Sequence, residues 1–365
     1  MRIGILGGGQ LGRMLALAGY PLGLRFRTLD LSPEAPAGHV SELMAADFND
    51  TDALKRFARG LDVVTYEFEN VPVDPARFLS RRVPVFPPPE ALEAAQDRLT
   101  EKRFFERLGI PTPTFVAVES WDDLKNALND MGLPAVLKTR RFGYDGKGQA
   151  VIRKTEDVSA AWQSLGGVPL ILESFVAFER EVSMLAIRSR QGETAFYPLV
   201  ENHHHEGILR LSLCPAPGAA SELQREAEEF ARRALAALNY TGVLAIEFFE
   251  RDGHLLANEM APRVHNSGHW TIEGAEVSQF ENHLRAITGW PLGSTATIGY
   301  SAMLNLIGTI PDLRSVLAME NVHLHLYGKA PRPNRKLGHI TLRTASAEAR
   351  NAGLARLRQI LSQSQ

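Results

Sequence analysis

The amino-terminal part of the chain alternates short apolar runs with stretches of helical periodicity. The predicted strands are Ile3 to Leu6, Arg25 to Asp30, Val63 to Tyr66 and Val83 to Phe86, and the predicted helices are Gln10 to Tyr20 and Asp50 to Ala58. This alternation indicates βαβ units and a parallel sheet. Pro87 to Pro89 then interrupt both periodicities, and two helices follow, at Glu90 to Arg98 and Thr100 to Leu108.

A different pattern begins near Thr114. The predicted strands are Phe115 to Val118, Ala135 to Lys138, Ala150 to Arg153 and Leu170 to Glu173, and the predicted helices are Asp122 to Met131 and Asp157 to Leu165. From Glu181 onward strands dominate, at Val182 to Ile187, Ala195 to Val200 and Ile208 to Leu213, before a long amphipathic helix, Glu222 to Leu238. We therefore expect three units: an α/β unit (1–112), a small α+β unit (113–178) and a larger mixed-sheet unit (179–365).

Composition narrows the classes of partner. The chain has 40 basic and 42 acidic residues and a pI near 6.6, so no basic surface is expected for nucleic acid or an anionic membrane. A single cysteine, Cys214, cannot form an internal disulfide and favours a reducing compartment. No apolar stretch is long enough to span a membrane, and we expect a cytoplasmic protein.

The segment GILGGGQLGRML near the amino terminus contains Gly7, Gly9 and Gly12 in the spacing G-x-G-x-x-G. After a predicted strand and before a predicted helix, this spacing is typical of dinucleotide-binding folds, and Asp30 lies near the position of a ribose-binding carboxylate. Taken alone, the segment predicts an NAD-dependent oxidoreductase.

A second glycine-rich segment, LKTRRFGYDGKGQ, follows the strand that ends at Lys138. Glycines at 143, 146 and 148 let backbone N–H groups converge on an anion, and the adjacent lysine and arginines suit a triphosphate. The Walker pattern is absent. A solvated hairpin loop with incidental basic residues is the alternative for this segment alone.

Two glutamates mark a third feature, the predicted hairpin from Gly242 to Ala261. A three-residue turn would place Glu247 opposite Glu259, whereas a two-residue turn would place Asn258 there. Facing carboxylates destabilise an apolar hairpin unless a cation lies between them, and Mg²⁺ is bound by one or two carboxylates with substrate phosphates. Ion pairs with Arg263 or Arg210 are the alternative. A zinc site at His203 to His205 is disfavoured because adjacent strand residues point to opposite faces.

These segments together resemble the ATP-grasp superfamily. The order Arg98, Lys138, GYDGKGQ, ESFV, Glu181, Glu247 and NEMAPRVHNSGHW is similar to the 5-(carboxyamino)imidazole ribonucleotide synthetases of purine biosynthesis, as are GGGQLGRM, YEFENVP, LNLIG and RKLGH. The resemblance covers nearly the whole chain. It implies an ATP-grasp fold with an amino-terminal Rossmann-like domain that binds no dinucleotide, a small lid domain and a mixed-sheet carboxy-terminal domain. The glycine loop at 7–12 would then approach the imidazole nucleotide, and Asp30 would be an ordinary strand-end acid.

The resemblance also implies the ATP site. Arg98 and Lys138 would contact phosphates, Glu181 the ribose and His204 the nucleotide, although three adjacent histidines leave that register open. The lid would close through Gly143, Tyr144, Asp145, Gly146, Lys147, Gly148 and Gln149; the adenine would meet Glu173, Ser174, Phe175 and Val176; and Glu247 and Glu259 would bind Mg²⁺ beside Asn258.

The second substrate, 5-aminoimidazole ribonucleotide, has its own implied contacts. They are Gln10, Leu11, Tyr144, Asp145, Arg263, His265, Asn266, Ser267, Lys336 and Arg343. Lys336 and Arg343 are seven residues apart, so a bend would be needed to bring both to one phosphate. The implied catalytic residues are Asp145, which would orient or deprotonate the amine, and Arg263, His265 and Asn266, which would hold bicarbonate and carboxyphosphate.

The implied reaction consumes ATP and bicarbonate, forms carboxyphosphate and transfers the carboxyl group to the amine. The family is usually dimeric, so a homodimer is expected. A formate-dependent glycinamide ribonucleotide transformylase of the same superfamily is the nearest alternative. An NAD-dependent oxidoreductase and a non-catalytic nucleotide sensor are the alternatives from other classes.

Overall fold

The amino-terminal unit is a four-stranded parallel sheet flanked by helices. The structure, a computed structural model, describes residues 1–143 and 146–363. The strand order is β3-β2-β1-β4, with Ile5 between Thr28 and Thr65. The elements are β1 (Arg2–Leu6), α1 (Gln10–Gly19), β2 (Arg25–Asp30), β3 (Glu42–Ala45), α2 (Thr51–Ala58), β4 (Val63–Tyr66), α3 (Val73–Ser80), α4 (Pro89–Ala95) and α5 (Arg98–Arg107).

The second unit is a four-stranded antiparallel sheet with two helices. Its strand order is β5-β8-β6-β7, and the glycine-rich segment connects the paired strands β6 and β7. The elements are β5 (Phe115–Val118), α6 (Trp121–Met131), β6 (Ala135–Thr139), β7 (Gln149–Ile152), α7 (Asp157–Leu165) and β8 (Leu170–Ser174).

The third unit is built on a large antiparallel sheet. Its strand order is β14-β13-β9-β11-β12-β15-β17-β16, with β10 also paired to β9. The strands are β9 (Arg180–Arg188), β10 (Thr194–Phe196), β11 (Val200–His205), β12 (Ile208–Cys214), β13 (Gly242–Arg251), β14 (His254–Ala261), β15 (Tyr300–Ile307), β16 (Val322–Leu326) and β17 (Lys336–Thr344). The helices are α8 (Ser221–Ala237), α9 (Thr271–Gly274), α10 (Gln279–Thr288), α11 (Leu313–Leu317) and α12 (Ala347–Gln363).

The predicted fold class is confirmed, with local exceptions. Residues 83–86 form only an isolated bridge, Val64 to Val85, because Pro84 and Pro87 lack the N–H groups that a strand requires. The predicted strand Ala195 to Val200 divides at Pro198 into β10 and the start of β11. Strand β3 was not predicted, because its residues carry no buried face.

One apolar core joins the first and third units. Ile5 and Leu15 from the parallel sheet side share a cluster with Leu284 of α10 and the fully buried Trp270. Helix α1 packs on α10, so the amino-terminal glycine loop is held at a fixed position beside the large sheet. Among the described residues, no helix is both long and apolar enough to cross a bilayer.

Candidate active site

A cavity of about 770 Å³ lies where the three units meet. Its wall includes Gln10 and Leu11 of the amino-terminal glycine loop and Gly143 and Lys147 of the lid segment (143–149). It also includes Glu247 and Glu259 of the β13–β14 hairpin, the acidic hairpin. Charged side chains dominate the rest of the wall. A single space therefore connects the two glycine-rich segments with the two glutamates.

The predicted pairing of Glu247 with Glu259 in the β13–β14 hairpin is confirmed, but the turn is not the three-residue turn from which it was predicted. Arg251 pairs with His254 around a two-residue turn, which continued without interruption would place Asn258 opposite Glu247. A β-bulge between Glu247 and Phe248 shifts the register, so that Glu247 pairs with Glu259. The expectation that a two-residue turn places Asn258 opposite Glu247 is therefore wrong, because a bulge places two residues of one strand against one of the other.

The two glutamates have different electrostatic environments. Burial and the neighbouring Glu259 raise the pKa of Glu247 to about 7. Burial also opposes ionisation of Glu259, but Arg98, whose Nη1 lies 2.9 Å from Glu259 Oε2, and Lys138 hold its pKa below the usual value. Asn258 Oδ1 is buried and accepts no hydrogen bond within the described residues. Two carboxylates and an unsatisfied amide oxygen form a donor set suited to a hard divalent cation.

Helix α5 holds the bulge in place through charged side chains that the sequence analysis did not select. Lys102, which is fully buried, donates from Nζ to the carbonyl oxygens of Ala257 (3.2 Å) and Asn258 (2.7 Å). Glu101 Oε1 accepts the N–H of Met260 at 2.6 Å. These bonds satisfy backbone groups of β14, the edge strand of the large sheet, so α5 fixes the direction of the glutamates.

We expect Glu101→Gln to change the pH dependence of stability. Burial and the Glu259 charge raise the pKa of Glu101 from 4.5 to about 8, so the folded chain retains a proton that the unfolded chain loses between these values. The contribution of Glu101 to wild-type stability therefore decreases as the pH rises through this interval, with a limiting slope of about 1.4 kcal/mol for each pH unit. Glutamine keeps the acceptor and cannot ionise. In thermal melts, the variant should gain stability relative to wild type between about pH 5 and about pH 8.

Glu106→Gln is the matched control, because Glu106 is exposed on the same helix. A difference between Glu101→Gln and wild type that stays constant across this pH range would contradict the prediction.

Lys138 and Glu173 contact each other rather than lying at separate ends of the nucleotide site. Lys138 Nζ is 2.8 Å from Glu173 Oε2, and Lys102 Nζ is 3.6 Å from the same oxygen. Burial opposes ionisation of Glu173, but the two lysines lower its pKa to about 2. The Glu173 side chain thus pairs with both lysines, and the predicted adenine contact would have to come from the segment that follows it.

The predicted ribose end of the site brings Glu181 and His204 together. His204 Nδ1 lies 2.8 Å from Glu181 Oε2, while His203 and His205 are exposed. A bulge between His203 and His204 sets this arrangement. Of the three adjacent histidines, His204 is therefore the one that meets Glu181. In the predicted adenine-binding segment, Ser174 is the last residue of β8 and Val176 is buried.

The predicted acid-binding residues lie together on the cavity wall. Arg263 donates from Nε to Glu69 Oε2, a residue of the YEFENVP segment. His265 Nε2 is 3.4 Å from Glu247 Oε1, and burial together with Arg263 lowers the pKa of His265 well below its usual value. Asn266 exchanges amide hydrogen bonds of 3.0 and 2.7 Å with Asn305 of the LNLIG segment. Glu69 and Asn305 belong to sequence motifs but were not predicted as site residues. In the structure Glu69 holds Arg263, and Asn305 holds Asn266.

Two carboxylates of the protein bind the N–H groups of the amino-terminal glycine loop. Glu67 accepts hydrogen bonds from the N–H groups of Gly9 (2.8 Å), Leu11 (3.1 Å) and Gly12 (3.1 Å), and Asp30 Oδ2 accepts from Gly8 at 2.6 Å. A Cβ at position 9 would lie 2.6 Å from Glu67 Oε1. The glycines therefore permit close approach by a protein carboxylate. A dinucleotide pyrophosphate would need these same donors.

Two predicted substrate contacts are not on the cavity wall. Ser267 is fully buried behind His265, with its hydroxyl 2.9 Å from His265 Nδ1. Arg343 lies near the opposite end of β17 from Lys336, about 23 Å away at 3.3 Å per residue, and donates to the carbonyl oxygen of Glu273. A register shift lies at the Lys336 end of the strand, opposite Leu306 and Ile307, but Arg343 remains near the far end, so this geometry does not place Arg343 with Lys336.

Basic residues missed by the sequence analysis instead accompany Lys336. Lys329, Arg332 and Arg335 come from the segment before β17 and line the cavity with it. Lys329 donates to Gln10 Oε1, which joins this segment to the amino-terminal loop. Their clustering could have been read from KAPRPNRK, but no periodicity indicated which way the segment faces.

The lid segment is described only in part. Tyr144 and Asp145, for which substrate contacts were predicted, lie outside the described residues. Gly143 and Lys147 line the cavity. Gly146 has φ +77°, and a Cβ there would lie 2.5 Å from the carbonyl oxygen of Glu206, so glycine allows the segment to approach the β11–β12 turn. Gln149 begins β7 opposite Lys138, and Gly148 has φ +73°.

Comparisons with known proteins agree with this arrangement. Family models match residues 1–96 (ribonucleotide synthetase preATP-grasp domain), 103–280 (ATP-grasp domain) and 301–352 (phosphoribosylaminoimidazole carboxylase C-terminal domain). The N5-carboxyaminoimidazole ribonucleotide synthase of Pseudomonas aeruginosa is 56% identical over 361 residues, covering 99% of each chain.

Solved structures are also similar to this chain. The N5-carboxyaminoimidazole ribonucleotide synthetase of Thermus thermophilus superposes with a TM-score of 0.95 at 64% identity, covering 99% of this chain and 98% of that one. The Aspergillus clavatus synthase in complex with ADP and 5-aminoimidazole ribonucleotide has a TM-score of 0.93 at 30% identity, covering 99% and 98%. The chain belongs to the N5-carboxyaminoimidazole ribonucleotide synthase family of ATP-grasp enzymes.

Proposed function

We infer that this chain is an ATP-dependent carbon–nitrogen ligase that carboxylates 5-aminoimidazole ribonucleotide in purine biosynthesis. A bicarbonate oxygen takes the γ-phosphoryl group of ATP, which gives ADP and carboxyphosphate. The exocyclic amine then attacks the carboxyl carbon, the bond to the phosphate oxygen breaks, and the nitrogen loses a proton. The observation that carries this inference is the single cavity that joins the acidic hairpin to the amino-terminal loop.

Charge neutralisation is the main task at the phosphate end. We propose that Lys138 and Arg98 offset the negative charge of the triphosphate beneath the lid segment. Glu247 and Glu259, with Asn258 Oδ1, would hold Mg²⁺, and the unsatisfied amide oxygen supports that assignment. When bound, the ion would neutralise charge on the phosphate oxygens.

Bicarbonate, the substrate acid, is proposed to bind at Arg263, His265 and Asn266. The Glu69 carboxylate orients the Arg263 guanidinium, whose remaining N–H groups can hold the oxygens of bicarbonate and then of carboxyphosphate. Asp145 would orient the amine or accept its proton. Because carboxyphosphate reacts readily with water, closure of the lid segment would protect it until the amine attacks.

The ribonucleotide phosphate is proposed to bind the basic segment of Lys329, Arg332, Arg335 and Lys336. These side chains line the cavity beside Gln10 and Leu11. Planar guanidinium groups and ammonium groups together suit a phosphate monoester. A homodimer and a cytoplasmic location complete the proposal, in keeping with the family and with the single cysteine.

The test is ADP release with bicarbonate and 5-aminoimidazole ribonucleotide, each omitted in turn. We expect sustained ADP release and carboxylated product only when both are present. Formate with glycinamide ribonucleotide is the comparison pair, and turnover with that pair alone would favour the transformylase. ATP binding without ADP release under either pair would indicate a nucleotide sensor.

We expect Glu259→Gln to require about ten times more Mg²⁺ for half-maximal ADP release, which corresponds to about 1.4 kcal/mol of lost affinity. The substitution removes one carboxylate charge and keeps the side-chain shape. Asp252→Asn, in the turn of the same hairpin, is the control and should leave the Mg²⁺ dependence unchanged. Identical Mg²⁺ curves for Glu259→Gln and wild type would contradict the metal assignment.

A further inference from the structure

A chain of buried hydrogen bonds runs from the back of His265 into the large sheet. Ser267 Oγ lies 2.9 Å from His265 Nδ1 and 2.8 Å from Ser183 Oγ. Asn202 Nδ2 is 2.9 Å from Ser183 Oγ, and Ser212 Oγ is 2.8 Å from Asn202 Oδ1. Ser183, Ser212 and Ser267 are fully buried, and Asn202 is 4% exposed.

One donor with a fixed hydrogen determines the direction of donation along the whole series of hydrogen bonds. The backbone N–H of Ser267 points at His265 Nδ1 from 3.3 Å, so that nitrogen is an acceptor and carries no hydrogen. The Ser267 hydroxyl at the same nitrogen must therefore donate to it. Because a hydroxyl has a single hydrogen, Ser267 must accept from Ser183, which in turn must accept from the amide of Asn202.

The hydrogen bonds of Asn202 and Ser212, farthest from the ring, have the same direction of donation. Asn202 directs Nδ2 to Ser183, which leaves Oδ1 as the acceptor for Ser212. Each hydroxyl and the amide thus donate the same way along the chain. The His265 backbone is held separately by Gln279, whose Oε1 accepts from His265 N at 2.9 Å and whose Nε2 donates to His265 O at 2.6 Å.

The consequence lies on the cavity side of the ring. With Nδ1 an acceptor, a neutral imidazole carries its hydrogen on Nε2, the nitrogen that faces the cavity and Glu247. His265 is then a hydrogen-bond donor toward the acid site rather than a base there. A donor aimed at a developing oxyanion stabilises the transition state.

We propose that Ser183, Asn202 and Ser267 are positioning residues that fix His265 as its Nε2–H tautomer, so that it donates to the oxygens of the bound acid. The use of that hydrogen in carboxylation rests on the proposed function, whereas the tautomer itself does not. Ser183, Asn202 and Ser212 carry no motif in the sequence, and only the packing of β9, β11 and β12 against the turn at 266–268 brings them into line.

The test combines ring-nitrogen NMR with kinetics on the full chain. With ¹⁵N-labelled histidine, and the His265 signals identified by their loss in His265→Gln, we expect a pyridine-type shift at Nδ1 and a pyrrole-type shift at Nε2. A hydrogen on Nδ1 in the wild-type chain would overturn the proposal.

Asn202→Asp is the diagnostic variant because it is nearly isosteric and an ionised carboxylate can only accept. Ser183 would then donate to residue 202 and accept from Ser267, so the Ser267 hydroxyl would present only a lone pair to Nδ1. This hydroxyl contact (2.9 Å) is shorter than that of the backbone N–H (3.3 Å), and it therefore outweighs the backbone donor that remains. We expect hydrogen to move to Nδ1 and kcat to decrease about 100-fold, with KM for ATP unchanged. An unchanged tautomer, or a changed tautomer with wild-type kcat, would overturn the proposal.

Ser183→Ala covers the case in which a buried aspartate prevents folding. It interrupts the series of hydrogen bonds without adding charge, and we expect a decrease in kcat of about 10-fold. Ser301→Ala is the matched control, since Ser301 is also a buried strand serine but its hydroxyl has no partner among the described residues. Equal kcat values for Ser183→Ala and this control would overturn the proposal.

The NMR arm needs no substrate. A wild-type chain that shows the Nε2–H tautomer but releases no ADP with bicarbonate and the aminoimidazole would contradict the proposed function alone.

Discussion

Replacing Arg263 with alanine is expected to lower the kcat for bicarbonate-dependent ADP release by about 10² to 10³-fold, the usual effect of removing a donor that stabilises transition-state charge. The Arg263 guanidinium is held on the cavity wall by Glu69, so its charge and its orientation are fixed before the acid binds. ATP binding should be retained, because Lys138 and Arg98, and not Arg263, are proposed to bind its phosphates. Steady-state ADP release and ATP titration measure the two effects independently.

A loss of structure has to be separated from a loss of chemistry in this variant. Arg263→Ala leaves Glu69 without its cationic partner, and the double variant Arg263→Ala with Glu69→Gln removes that charge. We expect the double variant to melt closer to wild type and to stay inactive. Arg77→Ala, which removes an exposed ion pair with Glu93, is the control for arginine loss as such. Near wild-type turnover in either Arg263 variant would exclude Arg263 from acid binding.

Glu67→Ala is expected to have the largest effect on stability, about 2 to 4 kcal/mol. Glu67 is 7% exposed, and its carboxylate is the acceptor for three backbone N–H groups at the start of α1. Helix α1 has no side-chain cap of its own, so these donors would lose their protein partner. Chemical denaturation measures the change.

Inorganic phosphate provides a sharper readout of the same variant. The vacated N–H groups at the start of a helix form an anion site, so phosphate should stabilise Glu67→Ala more than wild type. Glu34→Ala, at an exposed acid of the same unit, is the control and should behave as wild type in both measurements. If Glu67→Ala is as stable as this control, the glycine loop does not depend on Glu67.

Much of the fold followed from local patterns. The alternation of apolar strands and helices gave the parallel sheet of the first unit, and the glycines before Gln149 lie at the predicted connection between two antiparallel strands. Prolines caused the main errors, at Val83 to Phe86 and at Pro198, because a missing N–H interrupts a ladder without changing the apolar pattern. The bulge beside Asn258 could not be predicted, since turn length alone gives only the uninterrupted register.

The candidate site also has features that the sequence predicted and features that it did not. The identity of its glutamates, basic residues and glycines was evident in the sequence, and the family resemblance grouped them. The residues that hold them were not: Glu101, Lys102 and Asn305 have no spacing that relates them to the groups they bind. Ser267 was predicted to face the substrate, yet it lies behind His265, because a motif gives the order of side chains and not their directions.

By itself, the sequence determined the type of most helices and strands, the chemical inventory of the site and the family. Periodicity and residue chemistry are local properties that survive without a three-dimensional arrangement. The tertiary structure alone decided that a carboxylate 55 to 58 residues away occupies the N–H groups of the amino-terminal glycine loop. Hydrogen-bond partners so far apart in sequence are chosen by packing, and here packing turned a dinucleotide-like loop into a support for one wall of the cavity.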